Sequence, residues 1–191
     1  MQINNQRFHD IENKFKALQC DDSPAVWQGL ILGLTARALS PEDRKLRTLC
    51  AQVLNDGQPL PGTLSALVTE LALDAKAGFN KDELSVILPS DESALLTALS
   101  QLCYGLTLGL SLRLEKSSDG SLFIKVKDPH ILDFLHTLQE LQRVDEESEL
   151  DKAALDTVLN YLEDNLCAIH DALKQDEPEA PAPDVKHEVL Q

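Results

Sequence analysis

The stretch ALLTALSQLCYGLTLGLSLRL, from Ala94 to Leu114, decides how this chain folds. No formal charge interrupts it between Ser93 and Leu112, and Gly105 and Gly109 sit one helical turn apart near its centre. A shorter echo, GLILGL from Gly29 to Leu34, repeats its GLTLGL core. About twenty uncharged residues are enough to span a bilayer as a helix, and GxxxG promotes close helix contacts in lipid. Yet Ser, Thr, Gln, Tyr and Gly make up a third of the stretch, and the helices predicted around it offer matching apolar faces. The preferred reading is a core helix that is apolar nearly all round because other helices surround it. Its polar residues Thr97, Gln101, Tyr104, Thr107 and Ser111 step by three or four and give it one less apolar edge.

Glycine inside a helix costs roughly 0.5–1 kcal/mol relative to alanine, so four of them need an offsetting gain. Gly29 and Gly33, like Gly105 and Gly109, lie on one face and allow a second backbone to come close. The expectation is that the two helices pack through these faces, or that one pair forms a dimer contact. No phosphate-cradling role is expected, since neither run is a GxGxxG or a P-loop following a strand.

Outward from this axis, amphipathic helices recur. Phe8, Ile11, Phe15 and Leu18 form a stripe over 5–19. Ser23-Pro24, Ser40-Pro41 and Asp128-Pro129 are cap-plus-proline starts. The second of these is predicted to open a helix with Glu42 and Asp43 in its first turn. A fourth helix is expected from Thr63 to about Lys76, with Gly78 as its stop, and Leu84 to Leu88 reads as extended and packed. After the central helix, residues 91–112, the period shifts to two around an Asp119-Gly120 turn, so 112–126 is a small hairpin or a frayed helix end followed by a loop. Two further helices follow, the last to about Lys174 with Leu155, Val158, Leu162, Leu166 and Ile169 on its apolar face. The predicted fold is all-α, about seven helices in a single domain over 1–174. The Pro- and acid-rich residues 175–191 form a predicted disordered tail.

The 191 residues carry a net charge of −15. Residues 1–75 hold 7 basic and 9 acidic groups, whereas residues 76–174 hold 9 and 18. Such a chain repels phosphate backbones and anionic membranes, so neither direct nucleic-acid binding nor membrane binding is expected. The four cysteines, Cys20, Cys50, Cys103 and Cys167, lie far apart in apolar patterns without CxxC and read as reduced, buried thiols. The opening MQINNQRFHD lacks the basic-then-apolar plan of a signal peptide, and the expected address is the cytoplasm.

Chemistry-bearing patterns are sparse. Glu163, Cys167 and His170 share one helical face and form the best candidate metal or acid–base cluster, though nothing in the sequence completes a site. His130, Asp133 and His136 share a face poorly. The run Asp145-Glu146-Glu147-Ser148-Glu149 lacks a calcium loop's glycine and spacing; it reads as a solvated linker, with Asp145, Glu146, Glu147 and Glu149 as a candidate docking patch. No GxSxG occurs. No catalytic residue and no cofactor is assigned.

The glycine helices carry a resemblance. Ser23-Pro24-Ala25 followed by Gly29-Leu30-Ile31 and Gly33, the Leu88-Pro89-Ser90-Asp91 turn, and Leu102-x-x-Gly105-Leu106-x-x-Gly109-Leu110 occur in the order found in the YgfB/YecA family of small bacterial proteins. The acidic linker and the Tyr161-bearing last helix agree with that order, and the likeness covers roughly residues 5–174. It implies an all-helical fold and no established catalytic residues. Gln28 stands where the family often has His, Leu102 where it has Trp, and the Cys- and His-rich zinc-binding tail of longer members is absent from this sequence. The functional expectation is a non-catalytic, regulatory interaction protein that meets a basic protein partner through its acidic second half. The alternatives are a small-molecule- or metal-dependent enzyme near Cys167 and His170, or a structural homodimer on a glycine face.

Overall fold

The computed structural model describes residues 1–37, 39–111, 129–143 and 151–174. Within them lie seven helices and two short strands. In chain order these are β1 (Gln2–Ile3), α1 (Asn5–Leu18), α2 (Pro24–Ala36), α3 (Arg44–Leu54), α4 (Gly62–Phe79), β2 (Ser85–Val86), α5 (Glu92–Ser111), α6 (Pro129–Leu141) and α7 (Lys152–Lys174). The all-α class is therefore correct. The expected hairpin or loop over 112–126, the acidic patch at Asp145, Glu146, Glu147 and Glu149, and the tail over 175–191 lie outside the described residues.

Most of the described helices start where short polar side chains satisfy the first free N–H groups, whereas α4 follows Pro61 with no side-chain cap. Asn4 Oδ1 accepts from Arg7 N–H at 3.1 Å, Ser23 Oγ from Ala25 N–H at 3.2 Å, and Asp151 Oδ1 from Ala154 N–H at 2.7 Å. Two expected boundaries move. The third helix does not open at Ser40-Pro41. The Ser40 hydroxyl donates instead to the Glu42 carboxylate, and Asp43 caps α3 by accepting from Lys45 N–H at 2.8 Å. Gly78 does not stop the fourth helix, which continues to Phe79. A Cβ there would stand 2.9 Å from Leu84 Cδ2 and 3.0 Å from the Glu83 carbonyl oxygen. Gly78 thus lets the chain fold back against the helix it has just left.

The core is one continuous apolar cluster to which all seven helices contribute. Its axis is the pair α2 and α5, the most extensive interhelix contact among the described residues. Gly29 lies against Gly105, and Gly33 against Gly109, so the two helices run parallel. A Cβ on Gly29 would overlap the Leu102 carbonyl oxygen, one on Gly105 that of Val26, and one on Gly109 that of Leu30. One on Gly33 would be 3.0 Å from Gly109 Cα. Backbones this close gain dispersion contacts that no larger residue would permit. Nearly every residue of α2 is buried, which explains why its sequence shows so little amphipathic contrast.

At its end α2 delivers Arg37, 3% exposed, whose Nη1 donates to the Gly109 carbonyl at 3.0 Å. Burial pulls its guanidinium down to about 10. The cation sits against a late carbonyl of α5, where the helix dipole favours positive charge.

The small parallel sheet was not anticipated. β1 pairs with β2, Gln2 opposite Ser85 and Ile3 opposite Val86. Two tethers hold it. Gln28, 6% exposed, donates from Nε2 to the Ser85 carbonyl at 2.9 Å and accepts from Ile87 N–H at 2.6 Å. Glu163 of α7 accepts from Leu84 N–H at 2.6 Å and pairs with the Met1 ammonium. The expectation that Leu84 to Leu88 is extended and packed holds at β2, and all the apolar side chains of that segment are buried.

Candidate functional site

Four faces of α5 have different neighbours. Leu102, Gly105, Leu106 and Gly109 meet α2. Ser100, Cys103 and Thr107 meet the end of α6, where Ser100 Oγ donates to the Gln142 carbonyl at 2.8 Å and Gln142 Nε2 donates to Thr107 Oγ1 at 2.8 Å. Leu96, Leu99 and Leu110 are buried in the core. The remaining edge is open: Thr97 and Tyr104 are exposed, Ala94, Gln101 and Leu108 half-buried. Of the polar edge expected from sequence, Thr97, Gln101 and Tyr104 belong to this open strip, while Thr107 is turned to α6.

The upper half of that strip forms one wall of a cleft of about 600 Å³. Ala94, Thr97, Ala98 and Gln101 face Phe8, Glu12, Phe15 and Lys16 of α1 across it, and Cys20 to Pro24 close one end. The local geometry follows from the chain. Gln19 adopts the left-handed conformation at φ 55°, ending α1, and Cys20 N–H donates to the Phe15 carbonyl at 3.0 Å. Asp22 is then fixed by Trp27 Nε1, which donates to its Oδ2 at 3.0 Å, while Trp27 packs on Phe15 with ring centroids 5.1 Å apart. At the other end Asn5 Oδ1 accepts from Ser90 N–H at 2.9 Å, joining the head of α1 to the head of α5. Its lining combines Phe8, Phe15, Ala94 and Ala98 with three carboxylates, Glu12, Asp21 and Asp22, and one cation, Lys16. Lys16 and Glu12 pair at 3.1 Å.

The residues singled out in α7 lie elsewhere, in a structural role. Glu163 holds the β1–β2 sheet as described. His170, 8% exposed, stacks on Phe79 with ring centroids 4.5 Å apart. Burial first, then the charges of Asp82, Glu163, Asp171 and Asp164, push the Cys167 thiol up to about 11. At neutral pH it is therefore a neutral thiol, and the thiolate is the form that attacks or binds metal. Among the described residues no group of three or more His, Cys, Asp and Glu side chains is placed to hold a metal ion. Burial also raises Cys50 and Cys103 to about 12. The four glycines are occupied by one another within the chain. A homodimer through a glycine face would need α2 and α5 to part.

The cleft was not legible beforehand, because its walls come from segments some eighty residues apart. The only signal was the polar step along α5 together with the abrupt α1-to-α2 turn. Ala94–Ser111 is long and apolar enough to cross a membrane by length and composition, and half of it is buried inside the protein.

These features define a helical protein built on a parallel, glycine-paired helix couple, with an open groove along one of its two members. No protein-family model matches the chain, and no curated protein matches it.

Proposed function

We propose that this protein is a cytoplasmic, non-catalytic interaction module, regulatory in role, whose docking surface is the open edge of α5. One observation carries the reading. On a molecule of net charge −15, the strip Ala94, Thr97, Gln101, Tyr104 and Leu108 bears no charge, and Tyr104 is 49% exposed. Exposed tyrosine on a rigid helix supplies contact area at low entropic cost, and tyrosine is enriched where binding energy concentrates. The surrounding acidity, with Asp91 and Glu92 exposed at the head of α5, favours a basic partner and speeds its encounter. The motif order shared with the YgfB/YecA family supports the same assignment, and we read the chain as a member of that group. In longer-range electrostatic terms the partner-facing side remains the acidic second half of the chain, with the α5 edge as its contact.

The test is affinity capture from bacterial lysate with the wild type and Tyr104→Glu side by side. A partner retained by the wild type, released by salt and lost with Tyr104→Glu supports the reading. A partner held equally by both proteins removes it.

A further inference from the structure

We infer that Glu163 and β2 form a seat that recognises a free, positively charged amino group at Met1, and that acylation of this amine is a modification that keeps β1 from seating.

Three observations carry this assignment. First, both oxygens of the Glu163 carboxylate are engaged. One accepts from Leu84 N–H at 2.6 Å, and the other meets the Met1 ammonium. The Met1 side of the ion pair is shielded from solvent, and the Glu163 side chain is 18% exposed. Removing one partner of an enclosed pair leaves the other charge uncompensated, which is costly. Second, the amine leads directly into the β1–β2 ladder. Gln2 N–H donates to the Leu84 carbonyl at 3.0 Å, and Asn4 N–H to the Val86 carbonyl at 2.7 Å. Leu84 thus gives its N–H to Glu163 and its carbonyl to β1, so ion pair and ladder close on one residue. A strand of two residues is too short to hold its place by pairing alone. Third, the partners lie 162 positions apart in the chain. At about 5–20 residues per second of synthesis, the amine waits about 8–30 s for Glu163 to be made. Its chemical state is therefore decided before its seat exists.

The modification balances simply. The ammonium gives one proton to water, and the neutral nitrogen attacks the carbonyl carbon of an acyl thioester. A C–N bond forms, the C–S bond breaks, and the second proton leaves with the thiol. The product is an uncharged amide with a single N–H. It brings a further acceptor, its carbonyl oxygen, to a carboxylate that requires donors. A formyl group left on the amine has the same effect. Once β1 is seated, the ion pair withholds the amine from acylation.

The test uses the full chain with a free amino terminus, with an Nα-acetylated one, and with Gly-Ser added before Met1. Each is made as wild type and as Glu163→Gln, and hydrogen exchange is read at the Leu84 and Asn4 amides. In the wild type, acetylation and extension should each accelerate exchange at both amides about tenfold or more, while the α2–α5 axis keeps its protection. In Glu163→Gln, where the charge is already gone, the same changes should accelerate exchange less than about threefold. Wild-type exchange that neither change accelerates, or equal acceleration in both backgrounds, overturns the inference. Should an altered terminus prevent folding, labelling of the unaltered chain decides. At neutral pH an amine-reactive acylating reagent should modify the Met1 amine of the folded wild type about tenfold more slowly than in urea. Glu163→Gln should lose most of that protection. Equal labelling in the folded and unfolded wild type, or protection indifferent to Glu163→Gln, contradicts the assignment.

Discussion

Two faces of α5 use the same three- and four-residue spacing for opposite ends. On one, Gly105 and Gly109 admit the α2 backbone so closely that a single added carbon overlaps a carbonyl oxygen. On the other, Thr97, Gln101 and Tyr104 meet no helix of the described chain and stand open beside the α1 cleft. The first face tolerates almost no change, and the second should tolerate many. The contrast teaches that an apolar helix can serve as the axis of a fold without being surrounded on every side. It is the uncharged residues left outside, rather than the apolar ones inside, that point to function.

The comparison can be broken most severely at the glycines. Gly105→Leu should prevent folding, read as loss of the helical signal and of a cooperative unfolding transition. Overpacking by a single methyl typically costs 1–3 kcal/mol and occasionally more. Gly105→Ala, driven into the Val26 carbonyl, should therefore cost about 3 kcal/mol, and Gly33→Ala less, because its nearest contacts stand at 3.0 Å. If Gly33→Ala proved the costlier of the two, the two ends of the helix pair would have been ranked in the wrong order.

A second substitution sharpens how the sheet is attached to this axis. Gln28→Ala leaves the buried Ile87 N–H and the Ser85 carbonyl without their side-chain partner. Unsatisfied groups of this kind cost about 1–3 kcal/mol each, and a loss of about 2–3 kcal/mol in urea unfolding is expected. Glu163→Gln keeps an acceptor for Leu84 N–H but removes the charge facing the Met1 ammonium. The expected loss is about 1 kcal/mol, and metal content should be the same in both proteins. A metal that co-purifies with the wild type and disappears with Glu163→Gln would restore the metal reading of α7.

The buried thiols set a pH dependence. Cys50 and Cys103 have folded values raised to about 12 from an ordinary 9.0. Between those values the folded state binds more protons than the unfolded chain, so their contribution is fully present below about pH 9 and is lost as pH rises toward 12. Thermal unfolding should show falling stability across that window. Replacing both by alanine should flatten the slope, and an unchanged slope would contradict the burial assigned to them. At neutral pH a thiol reagent should reach Cys20 before Cys50 or Cys103.

Much of the fold was legible because it depends on local signals. The glycine pairs, the Ser23-Pro24 start and the stripe of Phe8, Ile11 and Phe15 all appear as expected. What escaped depends on partners far apart in the chain. β1 spans two residues and has no period to detect, and it exists because Gln28 and Glu163 hold its neighbour in place. Gly78 looked like a helix stop because its reason for being glycine, the return of Leu84, is tertiary. Ser40 carried a cap signature, but Asp43 three residues on is a cap as well, and the Ser40 hydroxyl had a closer acceptor in Glu42. The spacing of Glu163, Cys167 and His170 shows one shared helical face but not the distant groups that Glu163 meets, the Leu84 N–H and the Met1 ammonium. Beyond the polar step along α5 and the abrupt α1-to-α2 turn the cleft leaves no mark on the sequence, since it is defined by two helices and a turn that meet only in the folded chain.

The smallest stability effect belongs to the open edge. Tyr104→Glu should change unfolding by less than about 0.5 kcal/mol, the usual range for surface substitutions, while abolishing capture of the partner. Set against it, urea unfolding of Gly105→Ala tests the division of α5 most directly, because the two accounts differ in sign. At a roomy helical site, Gly to Ala stabilises by about 0.5–1 kcal/mol. The glycine-paired axis requires instead a loss of about 3 kcal/mol. A Gly105→Ala protein as stable as the wild type, or more so, would contradict it.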